Sequence, residues 1–144
     1  MKRTKHVVIG SGRLGASIAT WLSDQGYDVI IVDKEESSFR KLSENFGGYD
    51  IIGDATDMSV LEQEAMIQQA DEVIITTDSD NVNLFIAHLC YYVYHVPHIF
   101  VRFTDNDKGI LVEHTSIQTI YPFVLSMDDF RSEEHTSELQ SPNT

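Results

Sequence analysis

The string Gly10-Ser11-Gly12-Arg13-Leu14-Gly15 constrains this chain more than any other stretch. It follows the apolar run His6-Val7-Val8-Ile9 and opens Arg13 to Gln25, where Leu14, Ile18, Trp21 and Leu22 recur at helical spacing. A strand that turns through glycines into a helix is suited to holding phosphate. Gly10 permits the tight turn, Gly12 lets the backbone approach a pyrophosphate, and Gly15 lets the helix pack closely on the strand. The helix then presents free N–H groups and its positive dipole end to the anion. Asp33 ends the next apolar run, 18 residues after Gly15, where an acidic side chain accepts from ribose hydroxyls. A carboxylate there repels a 2′-phosphate, so NAD(H) or an adenosine phosphate is favoured over NADP(H); Lys34 beside it opposes that preference. Arg13 stands at the mouth of the helix, where a guanidinium can fork onto a phosphate or simply extend into solvent.

The rest of the chain alternates short apolar runs with amphipathic ones. Strands are expected at 6–9, 27–32, 49–52, 72–77, 98–103 and 117–121, and helices at 13–25, 37–46, 57–68, 81–94 and 108–114. In the third helix Val60, Leu61, Ala65 and Met66 are expected to face inward. Gly26, Gly47-Gly48 and Pro97 supply the stop signals. Strands apolar on both faces belong in a parallel sheet covered on both sides. The expected fold is therefore α/β: a Rossmann-type, doubly wound parallel β-sheet with helices on both faces.

At 144 residues, 42% hydrophobic, the chain suffices for one such domain. Its net charge of −13 disfavours polyanionic partners, so nucleic acid is not expected. One cysteine, Cys90, allows no disulfide framework or cysteine metal site and reads as core. The basic start Met1 to Lys5 is followed by too short an apolar run for a signal peptide, and nothing approaches a membrane span. A cytoplasmic protein without direct membrane insertion is expected. Residues 131–144 contain one large apolar residue, Leu139, and are expected to be disordered. Arg131 to Ser141 also resembles a translated reading frame of a sequencing-library adapter. Residues 1–130 are accordingly read as the domain and 131–144 as a non-native tail.

Other clusters carry less. His95 and His98 span Pro97 at a helix-to-strand joint, and His88 and His114 lie apart, so no metal site is expected. The acids at 54, 57, 78, 80, 105 and 107 fall on loops; Asp57 and Asp80 stand where helix caps are expected. No catalytic triad or acid–base pair can be assigned. The apolar stretch from Asn83 to Val93 reads first as core, with part of it available as a subunit contact.

Gly10 to Gly15, Asp33, Gly53-Asp54-Ala55-Thr56, Thr76-Thr77-Asp78 with Asn83, and Val101-Arg102 occur in one order and spacing. With them the chain, from residue 5 to about 128, resembles the N-terminal nucleotide-binding domain of the Trk/Ktr potassium-uptake regulators, the regulator-of-K⁺-conductance type. The resemblance implies that Gly10, Ser11, Gly12, Arg13 and Leu14 line the phosphates, and that Asp33 holds the ribose. It puts Asp54 and Ala55 beside the adenosine, and Thr77, Asp78 and Arg102 along the rest of the cleft. It implies NAD(H) or ATP/ADP as a regulatory ligand and no enzymatic reaction. It also implies a homodimer or larger ring beneath a membrane K⁺ channel or transporter subunit. In that family a crossover helix leads to a second domain; here it would begin near Pro122-Phe123-Val124-Leu125 and is expected to be truncated. The aromatic run Tyr91-Tyr92-Val93-Tyr94-His95 departs from the pattern expected of that helix. The alternative is the cofactor domain of an NAD-dependent oxidoreductase, cut before its substrate domain.

Overall fold

The computed structural model describes residues 3–121. The expected tail and the start of the crossover helix lie outside them. Six parallel strands form one sheet: β1 (Lys5–Ile9), β2 (Asp28–Asp33), β3 (Tyr49–Ile52), β4 (Glu72–Ile75), β5 (His98–Arg102) and β6 (Gln118–Ile120). Their spatial order is β3-β2-β1-β4-β5-β6, the doubly wound arrangement in which the chain leaves β1 in one direction and then returns to its other side. Alternate residues of the strands feed two cores. Val7, Ile9, Val73, Ile75, Ile99 and Val101 point into one, with Leu61, Ile67, Ile86 and Cys90. Val8, Ile31, Ile74, Phe100 and Ile120 point into the other, with Ile18, Ala19 and Leu22 of α1 (Arg13–Asp24).

All six strands fall where the periodicity puts them, but the helices differ. In place of a helix at 37–46 there is a 3₁₀ segment, Glu36–Lys41. An α-helix would need the Ser38 carbonyl to accept the Leu42 N–H. That carbonyl instead accepts the Ser11 hydroxyl at 3.1 Å, and the Leu42 N–H turns to Phe39. Ser43 then bonds its side chain to the Asn45 N–H, local competition that favours a turn over a helix.

The expected helix at 57–68 widens into a π-type turn at Val60–Glu64, where the Ala65 N–H reaches the Val60 carbonyl. Met66 is left-handed, with φ +52, and is exposed rather than inward; Ile67 fills the core instead. The expected helix at 81–94 ends the same way. α2 (Asp80–His88) passes into a π-type turn, Leu89–Val93, and stops at His95, with φ +54. The two widened turns meet where the Tyr94 hydroxyl donates to Glu62 at 2.8 Å. The expected helix at 108–114 is a 3₁₀ segment, Asn106–Val112. Asp80 does not cap α2; Ser79 does, accepting from the Val82 N–H. Among the described residues no helix is long and apolar enough to cross a membrane.

Candidate functional site

The register of β1 against its neighbours fixes the site. Ile9 pairs with Val32 on one side and Ile75 on the other. Gly10, Asp33 and Thr76 therefore leave three adjacent strands at one level, at the carboxyl ends where open α/β sheets bind ligands. Gly10 has φ +100, and a Cβ on it would lie 2.8 Å from the Thr76 carbonyl carbon. Gly15 is tighter still: a Cβ there would lie 1.9 Å from the Gly10 carbonyl oxygen and 2.6 Å from the Thr76 hydroxyl. Gly12 is the opposite case, since a Cβ on it would meet nothing within 4 Å. Two of these glycines let α1 sit against β1 and β4, and the third leaves space open.

That space is a cavity of about 420 Å³ lined by Gly10, Gly12, Asp33, Asp54, Ala55, Thr77, Asp78 and Arg102 among others. Eight of the eleven residues expected at the site thus face one cavity. Ser11, Arg13 and Leu14 do not line it. Ser11 is buried beneath the turn, its hydroxyl donating to Ser38. Leu14 packs into the core on the α1 side of the sheet, and Arg13 is exposed on the first turn of α1. A second cavity of about 420 Å³ opens around the N-terminal ends of β1 and β2, lined by Lys5, His6, Tyr27, Tyr49 and Met66 among others, and contains none of the expected site residues.

Hydrogen bonds hold the cavity walls. One Asp33 carboxylate oxygen accepts the Ser11 N–H at 2.7 Å and the other the Glu35 N–H at 2.8 Å. Asp54 accepts both the hydroxyl and the N–H of Thr56. The Thr56 hydroxyl, then its N–H, hold the Asp54 carboxyl below the usual carboxylate range against a small opposing effect of burial, and nearby Lys34 adds to the lowering. Asn83, fully buried, ties the far wall together. Its side-chain N–H groups donate to the carbonyls of Thr77 and Arg102 at 3.0 and 2.9 Å, and its oxygen accepts from the Thr77 hydroxyl and N–H. The Arg102 guanidinium donates through one terminal nitrogen to the Thr77 carbonyl at 3.3 Å, and its Nε is buried with no partner.

Lys34, Glu35, Ser38, Gly53, Thr56, Ser79 and Val82 also line the cavity. Glu35, Ser38, Ser79 and Val82 carry no sequence signal of their own. Their nearness in sequence to Asp33 and Asp78, at the ends of strands, was the only available cue. Among the described residues no cluster of three or more His, Cys, Asp or Glu side chains could hold a metal ion.

The pattern of the TrkA-N domain matches residues 6–122. The chain belongs to the TrkA-N domain family. It is 31% identical over 116 residues to the Trk system potassium uptake protein TrkA of Streptomyces coelicolor, an alignment covering 80% of this chain and 52% of that protein. The chain thus spans about half the length of this curated relative. Among solved structures it resembles the TrkA-N domain of the inner membrane protein YbaL from Escherichia coli, with a TM-score of 0.72 and 16% identity over 92% of this chain and 96% of that one. It also resembles the GsuK channel bound to NAD, with a TM-score of 0.66 and 19% identity over 83% of this chain and 21% of that one. At these identities the structural likeness establishes the fold, which agrees with the sheet order described above.

Proposed function

We propose that this TrkA-N chain is the nucleotide-sensing regulatory module of a potassium-uptake system. It binds NAD(H) or ATP/ADP in the cavity above β1, β2 and β4, and the bound state alters transport through a membrane subunit. The observation that carries the reading is the convergence of the Gly10–Gly12 turn, Asp33 and Arg102 on one cavity. The residues suit a nucleotide. Gly12 leaves open the space a pyrophosphate needs, the N-terminus of α1 offers unpaired N–H groups, and Arg102 holds a buried donor without a partner. Asp33 retains lone pairs for ribose hydroxyls beyond the two N–H groups it already accepts. The phosphate role of Arg13 requires its exposed side chain to fold back over the turn.

The potassium assignment draws on the names of the relatives. So does residence at the inner face of the membrane, held by the transport subunit. Assembly into a dimer or ring is supported by an apolar patch on the outside of α2 and the segment beside it. Phe85, Tyr92, Ile110 and Leu111 are exposed there, and His88 joins the two elements through the Leu111 carbonyl. Side chains of this size exposed together mark contact surfaces.

The experiment is a calorimetric titration of the whole chain with NAD⁺, NADH, AMP, ADP and ATP, with thermal unfolding of each mixture. Saturable binding that raises the melting temperature is expected. Failure of all five to bind at millimolar concentration overturns the reading. Turnover of NADH with a reducible substrate would favour the oxidoreductase alternative. Light scattering of the same sample tests self-association.

A further inference from the structure

We infer that the second cavity, at the opposite end of the sheet from the nucleotide site, binds a small planar aromatic carboxylate. It measures about 420 Å³, within the range of pockets that hold small ligands. It lies where β1, β2 and β3 begin, with Lys5 paired to Asp28 and Ile30 to Tyr49. Three large side chains that line it are left open to solvent: Tyr27 is 41% exposed, Met66 44% and Tyr49 74%. Each would bury apolar surface beneath a guest, which favours binding in proportion to the area covered. Two of the three are rings, which prefer a flat partner in an offset-stacked or edge-on arrangement. The Met66 thioether also favours contact with an aromatic ring.

Part of the lining is fixed before any guest arrives. His6, which is buried, lines the cavity. Its Nδ1 meets a Glu72 carboxylate oxygen at 2.6 Å and its Nε2 the Thr4 hydroxyl at 2.8 Å, so both edges of the ring are held. Tyr27 packs on that ring, with centroids 4.7 Å apart and planes tilted by 44°. One tyrosine of the cavity is thereby set in place, which lowers the ordering cost of binding. Met66 follows the widened turn at Val60–Glu64, holds φ +52, and lines this cavity while Ile67 takes the buried place. Left-handed backbone at a residue other than glycine is concentrated at ligand clamps. Charge selects the acid. The chain carries −13 overall, yet the lining carries Arg3 and Lys5 against Asp28, two positive charges less one negative, or +1 with His6 neutral. Arg3 pairs with Asp28 at 3.4 Å. The Lys5 ammonium donates to a neutral partner, the Gln69 side-chain oxygen at 3.1 Å, and keeps its charge and further N–H donors for an anion. Exposed rings and a thioether beside an ammonium suit an aromatic body with one carboxylate.

The test is a calorimetric titration of the whole chain with 2-naphthoate, with indole and with cyclohexanecarboxylate, in wild type, Tyr49→Ala, Tyr49→Phe and Lys5→Gln. Wild type is expected to bind 2-naphthoate saturably, and at least about threefold more tightly than either the neutral ring or the non-aromatic acid. Tyr49→Ala should weaken 2-naphthoate about fivefold, the worth of one aromatic contact, and Tyr49→Phe, which keeps the ring, should stay within about twofold of wild type. Lys5→Gln should weaken 2-naphthoate about threefold, as loss of one partly exposed ion pair does, and leave indole unchanged. Failure of 2-naphthoate to bind at millimolar concentration overturns the inference. So does affinity unchanged in both Tyr49→Ala and Lys5→Gln, which would put the compound elsewhere, and so does equal affinity for cyclohexanecarboxylate. The nucleotide reading stands or falls separately, since none of these residues lines the other cavity.

Discussion

Gly12 and Gly15 lie three residues apart in one motif, yet the structure gives them opposite roles, and alanine at each position separates folding from binding. At Gly15 a methyl group would stand 1.9 Å from the Gly10 carbonyl oxygen and 2.6 Å from the Thr76 hydroxyl. The first of these is backbone, so relief requires α1 to move off β1. Overpacking of this kind costs about 1–3 kcal/mol where side chains can yield and more where they cannot. A loss of at least about 3 kcal/mol is expected here, a large part of the 5–15 kcal/mol that holds a typical domain. For a domain of this size it lowers the melting temperature by roughly 12 °C. At Gly12 the methyl group meets nothing, and the backbone there, φ −77 and ψ −167, is extended and open to any residue. Alanine caps a helix less well than glycine, by some tenths of a kcal/mol, and narrows the unfolded ensemble by about 0.4–1 kcal/mol in the other direction. The two nearly cancel, so Gly12→Ala should melt within about 4 °C of wild type. Its methyl group nevertheless enters the space where a pyrophosphate must approach the backbone. Nucleotide affinity should fall at least about tenfold, the equivalent of losing one charge-assisted hydrogen bond. The assays are thermal unfolding by circular dichroism and calorimetric titration with ADP and NAD⁺. Equal destabilisation by the two substitutions, or undiminished affinity in Gly12→Ala, would refute the division of labour.

Asn83→Leu removes four hydrogen bonds at the far wall; the Thr77 N–H and the Arg102 carbonyl lose their Asn83 partner, and the Thr77 carbonyl keeps the Arg102 guanidinium. The substitution should cost about 2–4 kcal/mol in a denaturant titration, and a change under 1 kcal/mol, roughly one hydrogen bond, would show the network to be dispensable. Asp80 accepts the N–H groups of Thr104 and Asp105. Burial raises its pKa, but those two bonds and Lys108 more than offset burial, so the carboxyl lies below its ordinary value. A lowered folded-state pKa gives stability that is present above the unfolded pKa and lost as pH falls through the folded one. The stability difference between wild type and Asp80→Asn should therefore be largest above about pH 4 and shrink in more acid solution; a difference that is flat with pH would count against the bonds described. Cys90 is buried, and burial pushes its thiol up to about 12. Iodoacetamide at pH 8 should leave it unmodified in the folded protein and label it promptly in denaturant. Rapid labelling of the folded protein would contradict that burial.

The strands were legible because β1, β2, β4 and β5 are apolar on both faces and all six are bounded by turn residues, while the edge strands β3 and β6 are shorter and more polar. The helices were less so, because their hydrogen bonds are contested from afar. The loss of helix at 37–46 follows from Ser11, whose hydroxyl claims the Ser38 carbonyl across 27 positions; no window along the chain contains both residues. Met66 fits an inward position by helical period, but the period slips when the turn at Val60–Glu64 widens by one residue, so Ile67 takes the buried place. The same distinction governs the site. Gly10, Gly12 and Asp33 are fixed by backbone geometry at strand ends and could be named from spacing. Arg13 and Leu14 share the motif, but helical rotation sends one to solvent and the other into the core. Ser38 reaches the cavity on a 3₁₀ segment tied to Ser11, and Glu35, just before it, is held there by Asp33.

That dependence also decides which residue can report on ligand binding without ambiguity. Asp33 is the obvious choice, as the ribose acceptor the motif supplies. Yet its two carboxylate oxygens already accept the N–H groups of Ser11 and Glu35, so it braces the glycine turn and the opposite wall in the absence of ligand. Asp33→Ala would leave the part-buried Ser11 N–H without its partner, at a cost of about 1–3 kcal/mol, and would release the segment that carries Glu35 and Ser38. Any loss of affinity would then combine a missing ribose contact with a displaced wall. Asp33→Asn is no cleaner, because its amide can offer a single oxygen where two N–H donors now require two. Gly12 carries no such second role, since a side chain there would touch nothing and its backbone is unstrained. A defect confined to binding at Gly12, with the fold intact, is therefore the observation that ties this cavity to a phosphate-bearing ligand.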